Sequence, residues 1–253
     1  MNARGFWLGW LLPLTGLLAW SVLSFRHGGD AGTGAVTPWG VIAKTREMLI
    51  DGRIGVALRG SLLRYAVGLG IGALAGAAIG LSLGMSPLGR RLFGPTLRAL
   101  QQVSLFAWVP LVMAWFGLAE TSKIVFIALA ALFPMLINAF EGVGSVPGTL
   151  VEVTHVFGFT RWQSLWRLVL PSALPSLFTG LQLALIYAWL ATLGAEYLLT
   201  AGEGLGNLLV DGQEQFQTDQ VLVGIVLVAA LGFAISWLAE WLGAHLLRWK
   251  ESA

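Results

Sequence analysis

An all-α, polytopic membrane protein is the fold class this sequence predicts, and three observations predict it. Charged residues are 11% of the 253-residue chain and hydrophobic residues 57%, against roughly 25% charged in soluble domains. No folding of such a chain could give it a water-compatible surface. Six stretches, 7–25, 61–85, 99–118, 121–140, 173–199 and 221–247, suit a bilayer core of about 30 Å, which takes roughly 20 apolar residues. In the second stretch glycine recurs at Gly68, Gly72, Gly76, Gly80 and Gly84, a spacing that lets two membrane helices approach closely.

The elements follow in order. The first stretch has Phe6, Trp7 and Trp10 behind Arg4; it lacks an A-x-A cleavage site and is read as a retained span. GGDAGTGAVTP reads as a flexible connection, and Pro38 to Ile50 as a short amphipathic helix. The glycines of the second span step by four residues, which drifts only about 40° per step, so they form one slowly winding groove. That groove is expected to meet another span or a second copy of the chain. Residues 86–98, with Ser86, Pro87, Arg90, Arg91, Pro95 and Arg98, read as a polar turn. The third span is expected to kink at Pro110, and the fourth carries Pro134 and Asn138.

Ionisable residues inside a membrane are costly and mark function by default. Glu196, near the end of the fifth span, is the first of these, and Glu240, among Trp237 and Trp241 in the sixth, is the second. Gln182, Trp189 and Glu196 are spaced by seven and fall on one helical face. With Thr192 they are the expected lining of a translocation pathway. Bare hydrogen-bonded carboxylates and interhelical polar contacts explain the same residues without transport.

Between the fourth and fifth spans lies a polar, Trp-bearing segment, VEVTHVFGFTRWQSLWRLVLP from Val151. Thr160 and Gln163 form a capping box that starts a helix after Gly158, and Pro171 is expected to end it. Gly158 allows a bend, and Leu165, Trp166, Leu168 and Val169 give the helix an apolar side for another protein's groove. Taken alone, the segment also suits an interfacial helix with Trp at the headgroups.

Other chemistry is absent. There is no cysteine, hence no disulfide or thiolate metal site, and no His/Glu cluster offers a metal site. No G-x-x-x-x-G-K-[ST] is present to cradle ATP phosphates. Gly80-Leu81-Ser82-Leu83-Gly84 matches G-x-S-x-G but sits in a membrane helix, not a strand-to-helix elbow. A net charge of +2 gives no reason to expect nucleic acid, and no cofactor is implied.

Glu152, Gly158, Leu168, Leu170 and Pro171 stand at the spacing E-x5-G-x9-(I/L)-x-L-P. This resembles the EAA loop of ABC-importer permeases, the cytoplasmic element that docks on the ATPase. The likeness runs over about residues 56–249. ALRGSLLRYAVGLGIGALAGAAIGLSLGMS and PLVMAWFGLAETSKIVFIALAALFPMLINAFEGV are similar to the nitrate/sulfonate/taurine branch. LPSALPSLFTGLQLALIYAWLATLGAEYL and GEGLGNLL continue the resemblance, and EQFQTDQVLVGIVLVAALG most resembles aliphatic sulfonate permeases. There are departures. The family often has Arg-x-(I/V)-Pro where Gln101, Gln102, Val103 and Ser104 stand, an Arg at Gly144, and two alanines at Val153 and Thr154.

The resemblance implies a type I ABC importer permease fold. It divides the chain into residues 1–55, the first span with its periplasmic loop, and 56–253, the permease core with a coupling loop over 148–172. It implies a homodimer in a bacterial inner membrane, served by cytoplasmic ATPase subunits and a periplasmic solute-binding protein, with both termini cytoplasmic. The positive-inside count barely separates the two orientations, so the resemblance decides. The chain would be no enzyme, ATP hydrolysis lying on a separate subunit. Aliphatic sulfonates are the expected solutes, with taurine, nitrate or another small solute as alternatives, and a passive channel as the rival of a different class.

Overall fold

In a computed structural model the described residues are 15–16, 18–22, 36–199 and 202–246. The first predicted span and the GGDAGTGAVTP connection lie largely outside them. Among the described residues the structure is all helical. It comprises α1 (Pro38–Ile50), α2 (Arg53–Met85), α3 (Pro87–Gln101), a 3₁₀ turn (Leu105–Trp108), α4 (Val109–Phe116), α5 (Glu120–Gly144) and α6 (Gly148–Val156). There follow α7 (Arg161–Ser164), a π turn (Leu165–Val169), α8 (Leu170–Leu198), α9 (Leu205–Glu214) and α10 (Thr218–Leu246).

Four helical stretches, Arg53–Met85, Glu120–Gly144, Trp162–Leu198 and Thr218–Gly243, are long and apolar enough to cross a membrane. α3 and the 3₁₀–α4 unit meet at 97°, as a broken span or a re-entrant loop, so the expected straight span 99–118 is not formed. The predicted polar turn at 86–98 is corrected with it. Ser86 Oγ caps α3 by accepting from Gly89 N–H at 3.1 Å, and Pro87 occupies the first turn, where its missing N–H costs nothing. Pro110 likewise lies in the first turn of α4 and kinks no helix. The stretch between the fifth and sixth expected spans contains α9.

The core is a three-helix sandwich in which α5 packs along both α2 and α8. All five glycines of the stripe are buried. A Cβ at Gly72, Gly76 or Gly80 would fall within 3 Å of the backbone carbonyl of Ala128, Leu132 or Leu136, and one at Gly68 or Gly84 would strike Ile127 or Val143. Such an approach, with backbone on backbone, is how helices gain contact where lipid supplies no hydrophobic drive. On the other side of α5, Gly142 lies against Ala173 and Ser176, and Gly180 against Asn138.

α9 ends with a Schellman stop: Gln217 N–H donates to Gly212 O at 2.8 Å and Phe216 N–H to Gln213 O at 3.2 Å. The left-handed position of that stop, usually glycine, is Phe216 at φ 54°. Left-handed backbone costs a side-chain-bearing residue about 1–2 kcal/mol.

Candidate functional site

The segment after α5 folds as two short helices about a glycine. α6 leads to Gly158, whose φ of 65° is left-handed and open to a residue without Cβ. Thr160 Oγ1 then accepts from Gln163 N–H at 3.2 Å while Gln163 Oε1 accepts from Thr160 N–H at 2.9 Å, a reciprocal capping box. The helix that begins there does not end at Pro171. It widens into the π turn Leu165–Val169 just before the proline and continues as α8. The wider turn absorbs the hydrogen bond that Pro171 cannot donate, so the proline shapes a bulge rather than a stop.

The apolar surface of this loop differs from the expected one. Val169 is buried and Leu165, Leu168 and Leu170 are half-buried, turned toward the bundle, while Trp166 is exposed. The exposed apolar groups are Trp162 and Trp166, edge-on at 5.6 Å, with Val156 and Phe157 before the bend. Glu152, Gly158 and Pro171 are exposed beside them. The Trp pair has an i, i+4 spacing directly behind the capping box, which is the signal that identifies it.

At the opposite end of the bundle a buried polar clamp joins four elements. Glu196 on α8 is fully buried. Arg64 Nη1 on α2 donates to its Oε1 at 2.6 Å, Ser61 Oγ lies 2.7 and 2.8 Å from its two oxygens, and Gly206 N–H donates to Oε2 at 2.9 Å. Arg64 also donates through Nε and Nη2 to Glu120 at the start of α5, and through Nη2 to Glu203 O at 2.7 Å. Leu205 N–H completes the ring by donating to Ser61 Oγ at 2.9 Å. A Cβ at Gly204 or Gly206 would overlap Glu196, so GEGLGN is a backbone wrap fitted to one carboxylate.

Three of the four expected pathway residues belong to this packed side. Thr192 is fully buried and donates to Ala188 O at 2.8 Å, and Trp189 is buried edge-on to Tyr65 at 5.8 Å. With Glu196 they face α2 and the α9–α10 seam. Gln182 is half-buried. None of the four lines the cavity at the other side of α8.

That cavity, of about 420 Å³, opens at the break between α3 and the 3₁₀ turn. Its polar wall is Gln101, Gln102, Ser104, Asn138 and Tyr187, and Leu183 joins Tyr187 from α8. Trp108 and Phe133 supply an aromatic side, their rings 6.4 Å apart. Among the described residues no charged side chain lines it. Pro134 within α5 has no N–H for the carbonyl of Ala130, and both residues line the cavity. Irregular backbone at membrane depth is tolerated where it borders a water-filled space.

Ser82 donates its hydroxyl to Ala78 O at 2.6 Å within its own helix, so the G-x-S-x-G match is part of the glycine groove. Gly144, where the resemblance leads one to expect arginine, has the guanidinium of Arg90 against it, held over the Phe140 ring at 5.6 Å.

Comparison with known proteins agrees with this architecture. The chain is 34% identical over 248 residues, 98% of its length and 89% of the relative's, to SsuC of Bacillus subtilis (strain 168), named an aliphatic sulfonates transport permease. It is 35% identical to the taurine transport system permease TauC of Escherichia coli (strain K12), over 79% of this chain and 72% of that one. A nitrate import permease, NrtB of Leptolyngbya laminosa, is 31% identical over 74% of this chain and 67% of its own. Among solved structures, the inward-facing MetNI methionine ABC transporter aligns with a TM-score of 0.60 at 18% identity, over 78% of this chain and 96% of that one, a likeness of fold. The family profile described as "Binding-protein-dependent transport system inner membrane component" matches residues 68–248. The chain belongs to that family.

Proposed function

We propose that this chain is the permease of an ATP-driven importer for a small anion, an aliphatic sulfonate before taurine, nitrate or another small solute. The ABC-importer permease role and the nitrate/sulfonate/taurine branch follow from family membership. ATP hydrolysis is the work of a separate subunit. The observation that carries the mechanism is the loop at 152–171: a capped helix, a left-handed glycine and two exposed tryptophans offered where the chain has no use for them. Such a surface fits a groove on a cytoplasmic ATPase.

In this reading two copies of the chain pair in the inner membrane, with both termini cytoplasmic, and each docks one ATPase. Closure of the ATPases pushes the loops, and the continuous helix Trp162–Leu198 transmits the motion into the bundle. Solute from a periplasmic binding protein passes along the cavity at the α3–α4 break. Gln101, Gln102, Ser104, Asn138 and Tyr187 hydrogen-bond it without charge, so it binds and leaves readily. Gln182 lies beside that route, while Trp189, Thr192 and Glu196 hold α8 to its neighbours.

Gly158→Val tests the docking. A β-branched residue at φ 65° straightens the bend, so the ATPase should no longer co-purify while the permease stays folded. Retention of the ATPase at the parent level would sink the docking assignment. Cysteines at 183 and 187 in this Cys-free chain should react with a polar thiol reagent, and those at 189 and 196 should not. Uptake of a sulfonate without ATP would instead favour the channel.

A further inference from the structure

Both cations of the clamp are inside the protein, but one of their two carboxylates is not. Arg64, Lys123 and Glu196 are buried, Lys123 and Glu196 completely, whereas the Glu120 side chain is 51% exposed. Buried charges need partners, and Glu196 balances only one of the two cations. The second anion comes from the water side. There Glu120 accepts from Nε and Nη2 of Arg64, and its Oε1 lies 3.7 Å from Lys123 Nζ. Glu203 gives the cluster its backbone oxygen, and its side chain is exposed.

Arg64 does not depend on Glu120 for its place. Its Nη1 is held by Glu196 at 2.6 Å and its Nη2 by Glu203 O at 2.7 Å. The Nε–Nη2 edge therefore keeps its aim when Glu120 turns away, and α2 and α5 stay joined along the glycine stripe. That edge is a fork for two oxygens, and it takes a carboxylate, a sulfonate or a phosphate alike. Glu120 is the movable member: it is the first residue of α5, at a terminus without a side-chain cap, and exposed ion pairs are held weakly. The site lies at the end of the bundle away from the docking loop. By spacing, Lys123, Ala130 and Pro134 share one side of α5, and Ala130 and Pro134 line the cavity. We propose that Arg64 and Lys123 form a binding site for the oxyanion head of the solute, that Glu120 fills it as an internal stand-in, and that the solute displaces Glu120 on its way to the cavity. The identity of the anion rests on the importer reading above.

The test is rescue by an added anion. Thermal scans of the purified permease in detergent compare sodium methanesulfonate with sodium chloride at equal ionic strength. Glu120→Ala should lose Tm in chloride and regain much of it in methanesulfonate, while the parent, whose Glu120 competes, should shift little. Adding Lys123→Met to Glu120→Ala leaves Arg64 balanced by Glu196, so Tm should recover in chloride and methanesulfonate should add nothing. Glu120→Gln, which keeps the size of the side chain, should bind methanesulfonate in calorimetry at least about ten-fold more tightly than the parent. Equal recovery of Glu120→Ala in chloride overturns the proposal, since the effect would be screening. Rescue that survives Lys123→Met overturns it as well, since the anion would sit elsewhere. If Glu120→Ala does not fold, Glu120→Gln decides, and binding no tighter than the parent's overturns the site. ATP-driven uptake by the parent permease with its ATPase and binding protein is a separate reading. Its failure removes the importer assignment, while the anion site stands or falls on the rescue and the calorimetry.

Discussion

The two ends of the bundle handle their polar and apolar groups in opposite ways. At the clamp, charge is inside: Glu196 is fully buried and both its oxygens accept hydrogen bonds. At the docking loop, aromatic rings are outside, with Phe157, Trp162 and Trp166 exposed among Glu152, Gln163 and Arg167. A buried carboxylate tied to α2, α5 and the GEGLGN wrap makes those elements one rigid body. Exposed rings on a polar loop add nothing to the chain's own stability and much to a partner's grip. On the docking proposed above, the difference teaches where motion enters and where it stops: the loop end receives the push, and the clamp end moves as a unit.

Arg64→Ala gives the largest effect. It leaves the buried Glu196 carboxylate with hydrogen bonds only from the Ser61 hydroxyl and Gly206 N–H, and breaking a buried pair costs about 3–5 kcal/mol. A thermal scan in detergent should register a large loss of Tm. Trp162→Ala should leave Tm nearly unchanged and weaken ATPase co-purification. Equal loss of Tm from both variants would erase the distinction between the ends.

Gly76→Leu comes next. A side chain there meets Leu132 O and the Leu136 backbone N, and overpacking costs about 1–3 kcal/mol. Leu81→Ile, on a half-buried position of the same helix, should be nearly silent. Equal tolerance at both positions would mean that α2 and α5 can separate, and the rigid body would not be one.

These predictions rest on features that the sequence discloses to different degrees. The glycine stripe is legible because a four-residue spacing of small residues has few other uses in lipid; which helix it meets is not, since both the groove and its partner are apolar. The capping box and the bend at Gly158 are local backbone chemistry and can be read directly. Pro171 misleads because the missing N–H can be absorbed by a π turn, which no residue pattern marks. The break after Gln101 has no glycine or proline at its centre, and apolar periodicity is blind to a change in axis. Gln182, Trp189 and Glu196 do share a helical side, but periodicity cannot tell whether that side meets a cavity or a neighbour. Arg64 decides the matter, and the rule that intramembrane charges seek partners, applied to Arg64 as well as to Glu196, points to the pairing.

Near the docking face, Arg90 and Gly144 offer a smaller test. Gly144→Ala would press on the far end of the Arg90 side chain and lift it from Phe140. A cation–π contact at such a site is worth about 0.5–1 kcal/mol. Gly144→Ala and Arg90→Ala should each cost about that much, and the double variant no more than either alone. Additive losses would show that Arg90 does not occupy the place left by the small residue.

Gln163→Ala has the smallest expected effect. It removes the acceptor for Thr160 N–H, but the site is exposed and water takes up the donor, so the loss is about 0.5 kcal/mol. The helix it caps continues without interruption into the span Trp162–Leu198, whose packing on α5 is unaffected. Global Tm should therefore not move. The change should appear locally, as faster hydrogen exchange at the Thr160 amide and a slightly weaker hold on the ATPase, because the first turn sets the aim of Trp162 and Trp166. A loss of Tm approaching that of Arg64→Ala would mean that the loop is integral to the bundle's stability, and the contrast between a pushed end and a held end would not stand.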